Sequence, residues 1–254
     1  MSAPSAPPGP EATPVPPGRG AARWTPVLLV RAAHPRQALL TTAGMAAAAA
    51  VSGRPPREVC LVAVTVLAGQ SLLGWDNDLV DARTDAADGR TTKPLVASPR
   101  HRGTLSFALA CATLLVIPLA LSSGIDAGLA YLLSLAVGML GNRVLRGGRW
   151  SWLSWALAFA LYPAYLSYGG WGGAADGRPP TIAMTVAAAL LGIGVHVLTS
   201  LPGLVDDNRA GRHHLPLRMA LRVGAPRLLV LSGLYGAVMI GAILVVGSTV
   251  GLSR

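Results

Sequence analysis

The sequence predicts an all-α membrane protein, a polytopic transmembrane helical bundle of about seven spans. Three observations predict it. Only 13% of the 254 residues are charged while 52% are hydrophobic, and a soluble domain of this size carries about 25% charge. The apolar residues gather into seven blocks, most of them near the roughly 20 residues that a spanning helix needs. The breaks between blocks carry turn chemistry, as in Ser52-Gly53-Arg54-Pro55-Pro56, Ser122-Ser123-Gly124, Gly147-Gly148 and the stretch from Gly169 to Pro180. An ordinary soluble enzyme and a disordered chain are both excluded. The net charge of +10 suits a membrane surface better than nucleic acid, because aromatic residues are few and the charges lie between apolar blocks.

The elements follow in order. Seven prolines among the first 20 residues predict a disordered, Pro/Ala-rich tail over residues 1–22, lacking the basic-then-apolar order of a signal peptide. Residues 23–254 form the transmembrane domain. Its expected spans are 37–52, 58–75, 104–122, 127–145, 152–170, 181–201 and 226–248, the first being short and rich in alanine. Pro118, Pro163 and Pro202 lie within or at the ends of blocks, where neighbouring helices must satisfy the carbonyls they free. Cys60 and Cys111 fall in apolar stretches without metal-ligand spacing and read as small buried residues.

Basic residues set the orientation. With the N-terminus in the cytoplasm, 17 of the 21 Lys and Arg residues fall on the cytoplasmic side, as the positive-inside rule asks. The chain is expected in the cytoplasmic (plasma) membrane, with its N-terminus and active site facing the cytoplasm.

The acidic residues are more informative, because they contribute little to topology. Seven of the 11 lie in two segments expected on that same side: Asp76, Asp78, Asp81, Asp85 and Asp88 after the second span, and Asp206 and Asp207 after the sixth. Asn77, Asp81 and Asp85 are spaced i, i+4, i+8 and stack along one helical face. Unpaired, such a face repels itself; a divalent cation removes the repulsion. Hard oxygens with one amide suit Mg²⁺, whose shell substrate phosphates commonly complete. Arg83, Arg90 and Lys93 follow, placed to meet remaining phosphate charge. A solvated helix end with mixed charges is the simpler alternative. The second segment sets Asp206, Asp207 and Asn208 beside Arg209 and Arg212, and the two segments together offer a clamp for one metal–diphosphate unit.

The run Asn77-Asp78-Leu79-Val80-Asp81-Ala82-Arg83-Thr84-Asp85 resembles the first aspartate-rich motif, N-D-x-x-D-x-x-x-D, of UbiA-type intramembrane prenyltransferases. Gly89-Arg90 and Lys93-Pro94-Leu95 look like that family's continuation, and the acidic segment after the sixth span, leading into Leu215-Pro216-Leu217-Arg218, is similar to its second motif. The resemblance covers roughly residues 31–245. It implies a helical bundle around a central cavity open toward lipid, with Asn77, Asp78, Asp81, Asp85, Asp206 and Asp207 as metal ligands for Mg²⁺. Asp81 and Asp85 are the catalytic pair it implies, and Arg83, Arg90, Lys93, Arg146, Arg209 and Arg212 the diphosphate-binding set. The implied reaction transfers a prenyl group from a prenyl diphosphate to a lipophilic or aromatic acceptor through an allylic cation, stabilised electrostatically and shielded from water.

This sequence departs from the family's pattern at three points. The first Asp of the second motif falls on Gly203, with Asp207 matching the last. A Tyr frequent near the end of the fourth span falls on Gly141, with Asn142 and Arg146 retained. Seven spans stand where nine are usual. Two other readings therefore stay open: a terpene cyclase on the same scaffold, and a non-catalytic protein that binds an isoprenoid lipid.

Among the remaining residues, His196 lies inside the sixth span, where a polar side chain is costly and faces the bundle interior; a cavity wall or an interhelical hydrogen bond explains it. Aromatic residues concentrate on the fifth span, including Trp150, Trp152, Trp155, Tyr168 and Trp171. An interface belt accounts for most of them, while Tyr162 and Tyr165 lie deep enough for a cavity wall that stabilises a cation. His213-His214 and His101 read as loop residues, and His34, before Pro35, as interfacial.

Overall fold

The structure is a computed structural model that describes residues 25–91, 93–170 and 177–253. The expected N-terminal tail and Trp171 lie outside the described residues. A short α1 (Thr25–Ala32) precedes α2 (Pro35–Val51) and the long α3 (Pro56–Ala87). A connecting segment with α4 (Pro94–Ala97) and a 3₁₀ turn leads to α5 (Arg102–Leu121) and α6 (Ile125–Leu140). Then come α7 (Ser151–Ala160), α8 (Tyr162–Tyr168), α9 (Ile182–Ser200), α10 (Leu204–Arg209), α11 (Leu215–Val223) and α12 (Ala225–Thr249). Among the described residues there is helix and no strand.

All seven apolar blocks are helical, but their lengths differ from expectation. Five helices are long and apolar enough to cross a membrane: 56–87, 99–121, 125–145, 182–209 and 225–249. The other two blocks are α2, with 17 residues, and the α7–α8 rod, interrupted at Leu161. Pro163 stands one residue inside α8, and its ring and missing N–H break the ladder there. Pro118, in contrast, is carried within an unbroken α5.

The largest difference lies in α3. The sequence ends the second span at residue 75 and places the carboxylates after it. Instead α3 continues through Asp76, Asp78, Asp81 and Asp85, all buried, to a C-cap at Asp88. No glycine or proline occurs between Gly74 and Gly89, and Gly89 takes the left-handed conformation just past the end (φ 68°). Burial of the carboxylates is tolerated because cations reach them.

The core lies between α2, α3, α5, α6 and α8, where Val62, Val66, Val116, Tyr131 and Tyr165 are buried together. Two glycines bring functional helices close. A side chain at Gly74 would meet the Ala32–Ala33 backbone at 2.7–2.9 Å, so this residue lets α1 press on α3. A side chain at Gly192 would meet the Trp155 carbonyl at 2.6 Å, so this one lets α9 press on α7. At the far end of the bundle, buried Arg54 pairs with Glu58 at 3.5 Å and donates from Nη2 to the Leu166 and Gly169 carbonyls at 2.5 and 2.8 Å. It thereby satisfies carbonyls that the end of α8 leaves open. Cys60 and Cys111 are exposed on the outer surface, not buried as read from the sequence. Residues of an apolar helix that face lipid look like core residues in sequence, since both surroundings are apolar. On α12 only 6% of the most apolar stretch is buried, so most of that helix presents itself outward.

Candidate active site

A cavity of about 320 Å³ opens at the end of the bundle where α3, α6 and α9 finish and α7 begins. Its mouth is polar, lined by His34, Asn77, Arg90, Lys93, Arg146, Asp207, Arg212 and His214. Deeper, the lining turns to Leu73, Gly74, Ala158, Trp155, Phe159 and Tyr162, with Gln70 as a polar exception, while Ser151 and Ser154 in the first turn of α7, and His196 bonded to Ser151, line the mouth end. Gln70 is two helical turns below Asn77, about 10 Å at 1.5 Å per residue, and its Nε2 donates to the Tyr162 hydroxyl at 3.2 Å.

Asn77 and Asp207 line the cavity, whereas Asp78, Asp81 and Asp85 are buried behind the cations that line it, and each carboxylate meets a cation. Lys93 Nζ donates to Asp78 Oδ1 at 2.8 Å, and His34 Nε2 lies 3.2 Å from the same oxygen. Arg146 bonds Asp81 and donates to Asn77 Oδ1 at 3.1 Å. Arg90 places Nε 3.6 Å from Asp85 and donates from Nη2 to Asp207 at 2.6 Å. Arg212 joins Asp88 at 2.5 Å and Asp207 at 3.0 Å. Two arginines therefore bridge the end of α3 to α10. Within the described residues no three acidic, histidine or cysteine side chains stand close enough to hold a metal by themselves. Among the buried carboxylate oxygens, Asp78 Oδ2 has no hydrogen-bond partner, and Asp85 Oδ1 has only Arg90 Nε at 3.6 Å, beyond hydrogen-bond reach.

The cations differ electrostatically. Burial works against the charge on Arg90, but the hydrogen bond and charge of Asp207 outweigh it and hold the guanidinium above its usual range. Burial pulls Arg146 below its usual range, and the neighbouring charge of Arg212 adds to this. A crowded, desolvated guanidinium of this kind is stabilised by any anion that enters beside it.

Local backbone explains how some groups arrive. A π-turn at Gly141–Leu145 ends α6 and turns Asn142 and Arg143 onto buried Asp76, at 3.0 Å and at 2.5 and 2.9 Å; such turns re-aim side chains at the ends of helices. Gly141 fits because a side chain there would meet Ser154 at 2.5 Å. His34, between α1 and α2, is the one described non-glycine residue with positive φ, 50°. That strained conformation brings its ring to Asp78.

Several expected residues lie elsewhere. Arg83 is exposed and lines a separate outer groove with Asp76, Arg102 and Arg143. The side chains of Asp206 and Arg209 are 52% and 78% exposed, at 4.0 Å from each other, so Asp207 is the acidic residue of that segment that reaches the cavity. Tyr165, expected on the cavity wall, is fully buried in the core with its hydroxyl 3.2 Å from Ser123 Oγ. Tyr162 and His196 do line the cavity.

Sequence reasoning missed His34 and His214. His214 is buried rather than loop-solvated. Its Nδ1 accepts from the Leu217 N–H at 3.3 Å, which leaves Nε2 to donate to Asp207 at 2.9 Å. The signal was present in His214-Leu215-Pro216-Leu217: a side chain able to accept, one residue before a helix with proline in its first turn, caps that helix.

Membrane-length apolar helices around a cavity with a polar mouth define a polytopic helical membrane protein. The model of the UbiA prenyltransferase family matches residues 38–253, and the chain belongs to that family. It is an integral membrane protein. Its fold is similar to that of a UbiA homolog from Archaeoglobus fulgidus bound to GPP and Mg²⁺, with a TM-score of 0.64, 17% sequence identity and 87% of each chain covered. No curated protein matches the chain.

Proposed function

We propose that this protein transfers a prenyl group from a prenyl diphosphate to an acceptor, with Mg²⁺ assisting departure of the diphosphate. The observation that carries this reading is the junction of the α3 and α10 carboxylates by Arg90 and Arg212 at the mouth of an apolar cavity. The bound GPP and Mg²⁺ of the Archaeoglobus homolog support the substrate class.

The donor chemistry fits the ion. Asn77, Asp78, Asp81 and Asp85 from α3, with Asp207 from α10, would hold Mg²⁺ together with diphosphate oxygens; hard oxygen ligands completed by phosphate are what this ion favours. The Asp78 and Asp85 oxygens that lack hydrogen bonds are ready donors. When bound, the ion supplies Lewis-acid stabilisation of the leaving diphosphate. Arg90, Lys93, Arg146 and Arg212 bind the phosphate oxygens by exchanging their carboxylate partners for substrate. Asp81 and Asp85 hold the reacting end of the substrate in register. Trp155, Phe159 and Tyr162 exclude water from the allylic end and present aromatic faces to developing positive charge. The basic end of the bundle, and with it the mouth, faces the cytoplasm on this reading.

A terpene cyclase is the second reading. The consecutive ring contacts Trp155–Phe159 at 6.3 Å and Phe159–Tyr162 at 5.0 Å favour it, since such a row suits a cation quenched internally. The deciding experiment supplies purified protein with geranyl diphosphate, with and without Mg²⁺. Mg²⁺-dependent binding that Asp81→Asn abolishes supports the metal-assisted reading, and metal-independent binding refutes it. A cyclic product without acceptor selects the cyclase. Absence of diphosphate release under any condition leaves isoprenoid binding alone.

A further inference from the structure

His196 on α9 and Ser151, the first residue of α7, line the cavity beside its charged mouth, 7% and 2% exposed. His196 Nε2 lies 3.0 Å from Ser151 Oγ, and the imidazole leans on the Trp155 ring at 5.5 Å between centroids. The cavity's arginines and lysine are engaged at the mouth, by Asp78, Asp81, Asp85, Asn77 and Asp207. The pair is buried, and a buried polar group without a purpose is a cost.

The hydrogen-bonding capacity of the pair identifies what it takes. If the serine hydroxyl donates to Nε2, Oγ keeps lone pairs that accept from a ligand. If Nε2 carries the proton and donates to Oγ, the serine hydroxyl donates to a ligand. A hydroxyl group, both donor and acceptor, completes either arrangement; a hydrocarbon completes neither. The cations beside the pair are already held by carboxylates, so the ligand group that the pair itself takes is uncharged.

We infer that His196 and Ser151 form the acceptor subsite and bind the hydroxyl of an uncharged, apolar acceptor whose body lies along Trp155. This rests on the prenyl-transfer reading above. It gives His196 a ligand beyond the interhelical tie between α7 and α9, and it places the acceptor's polar group on the α7–α9 wall, across the cavity from the α3 wall carrying Gln70 and Asn77.

The test uses full-length protein in lipid nanodiscs and two probes, 2-naphthol and naphthalene, followed by tryptophan fluorescence. Naphthalene is the more apolar and enters a purely hydrophobic cavity more tightly. A hydroxyl site reverses that order, and the wild type is expected to bind 2-naphthol up to about tenfold more tightly, the scale of one well-made hydrogen bond. His196→Phe removes the ring nitrogens and should restore the order favouring naphthalene. Ser151→Ala, which removes a single oxygen, carries the same expectation should the bulkier variant fail to fold. Equal binding in the wild type, tighter naphthalene binding there, or a naphthol preference that survives both substitutions overturns the inference. Mg²⁺-dependent geranyl diphosphate binding on the same samples separates the two ideas. Diphosphate binding without naphthol preference overturns the subsite alone; naphthol preference without diphosphate binding overturns the transfer reading and the acceptor role with it.

Discussion

Arg90 donates from Nη2 to Asp207 Oδ1 at 2.6 Å across 117 residues of sequence, while its Nε stands 3.6 Å from Asp85. One guanidinium thus ties the end of α3 to α10 and holds the two acidic segments in a common site. Two cations, Arg90 and Arg212, face Asp207 and place positive charge where a diphosphate would compete for it, while His214 donates to the same carboxylate. Binding of a metal–diphosphate unit is then an exchange of partners more than a filling of space, and its affinity depends on groups that already face one another.

Asp207→Asn is therefore expected to weaken Mg²⁺-dependent geranyl diphosphate binding by ten- to a hundredfold, the cost of removing one partner of a charge-assisted set. Asp206→Asn, on a side chain 52% exposed, should change it less than threefold. Isothermal titration of the two proteins in detergent checks this. Equal losses would mean that Asp206 substitutes for Asp207 in the site.

The bundle and the α3 motif are legible in the sequence because their signals are local. Apolar blocks mark helices, and Asn77, Asp81 and Asp85 declare a shared face by spacing alone. What is not legible depends on contacts between distant residues. Nothing near His34 announces Asp78, 44 residues away. Tyr162 and Tyr165 are three residues apart, read alike and both pack in the core, yet only the first also lines the cavity, because the break at Leu161 sets the facing of α8. Cys60 and Cys111 were misread since lipid-facing and core-facing residues share a composition. Arg83 sits on α3 between Asp81 and Asp85, but its helical phase points it to the outer groove.

Gly141 marks a close approach that sequence comparison alone would read as a loss. A side chain there would meet Ser154 Cβ and Oγ at 2.5 Å, so Gly141→Ala should destabilise the protein by about 1–3 kcal/mol through overpacking. The double variant Gly141→Ala with Ser154→Gly removes both clashing atoms and should recover most of that loss, less the cost of about 1 kcal/mol for glycine within α7. Thermal unfolding in detergent measures both; equal destabilisation of the single and double variants would place the fault elsewhere.

At the opposite end of the bundle, Arg54 serves stability rather than binding. Arg54→Met keeps much of the side-chain volume but removes the donor to the Leu166 and Gly169 carbonyls and one partner of Glu58. A loss of about 3 kcal/mol is expected, the scale of breaking a buried ion pair from one side. The double variant with Glu58→Leu should recover part of it, because no buried charge is then left behind. Thermal melts of both variants test this, and geranyl diphosphate affinity, measured at the cavity mouth, should not move.

Gly203 tests how far the second acidic segment can be strengthened. It lines the cavity four residues before Asp207, and its backbone (φ −93°, ψ −5°) is open to any residue. A Cβ placed on it would stand 3.4 Å from Asp207 Oδ2, an ordinary contact. Gly203→Asp therefore sets a second carboxylate beside the first on one face of the helix. Without divalent cation, like charges at i, i+4 repel, and the variant should lose a few tenths of a kcal/mol. With Mg²⁺ the same pair becomes a better hard-oxygen donor set, and binding to the folded state offsets the repulsion by mass action. The expected result is a thermal midpoint below wild type in chelator, a larger rise than wild type on adding Mg²⁺, and a several-fold fall in the Mg²⁺ concentration that half-saturates geranyl diphosphate binding. If Gly203→Asp instead leaves the Mg²⁺ requirement unchanged, the ion is held by the α3 oxygens and the substrate alone, and Asp207 serves the arginines rather than the metal.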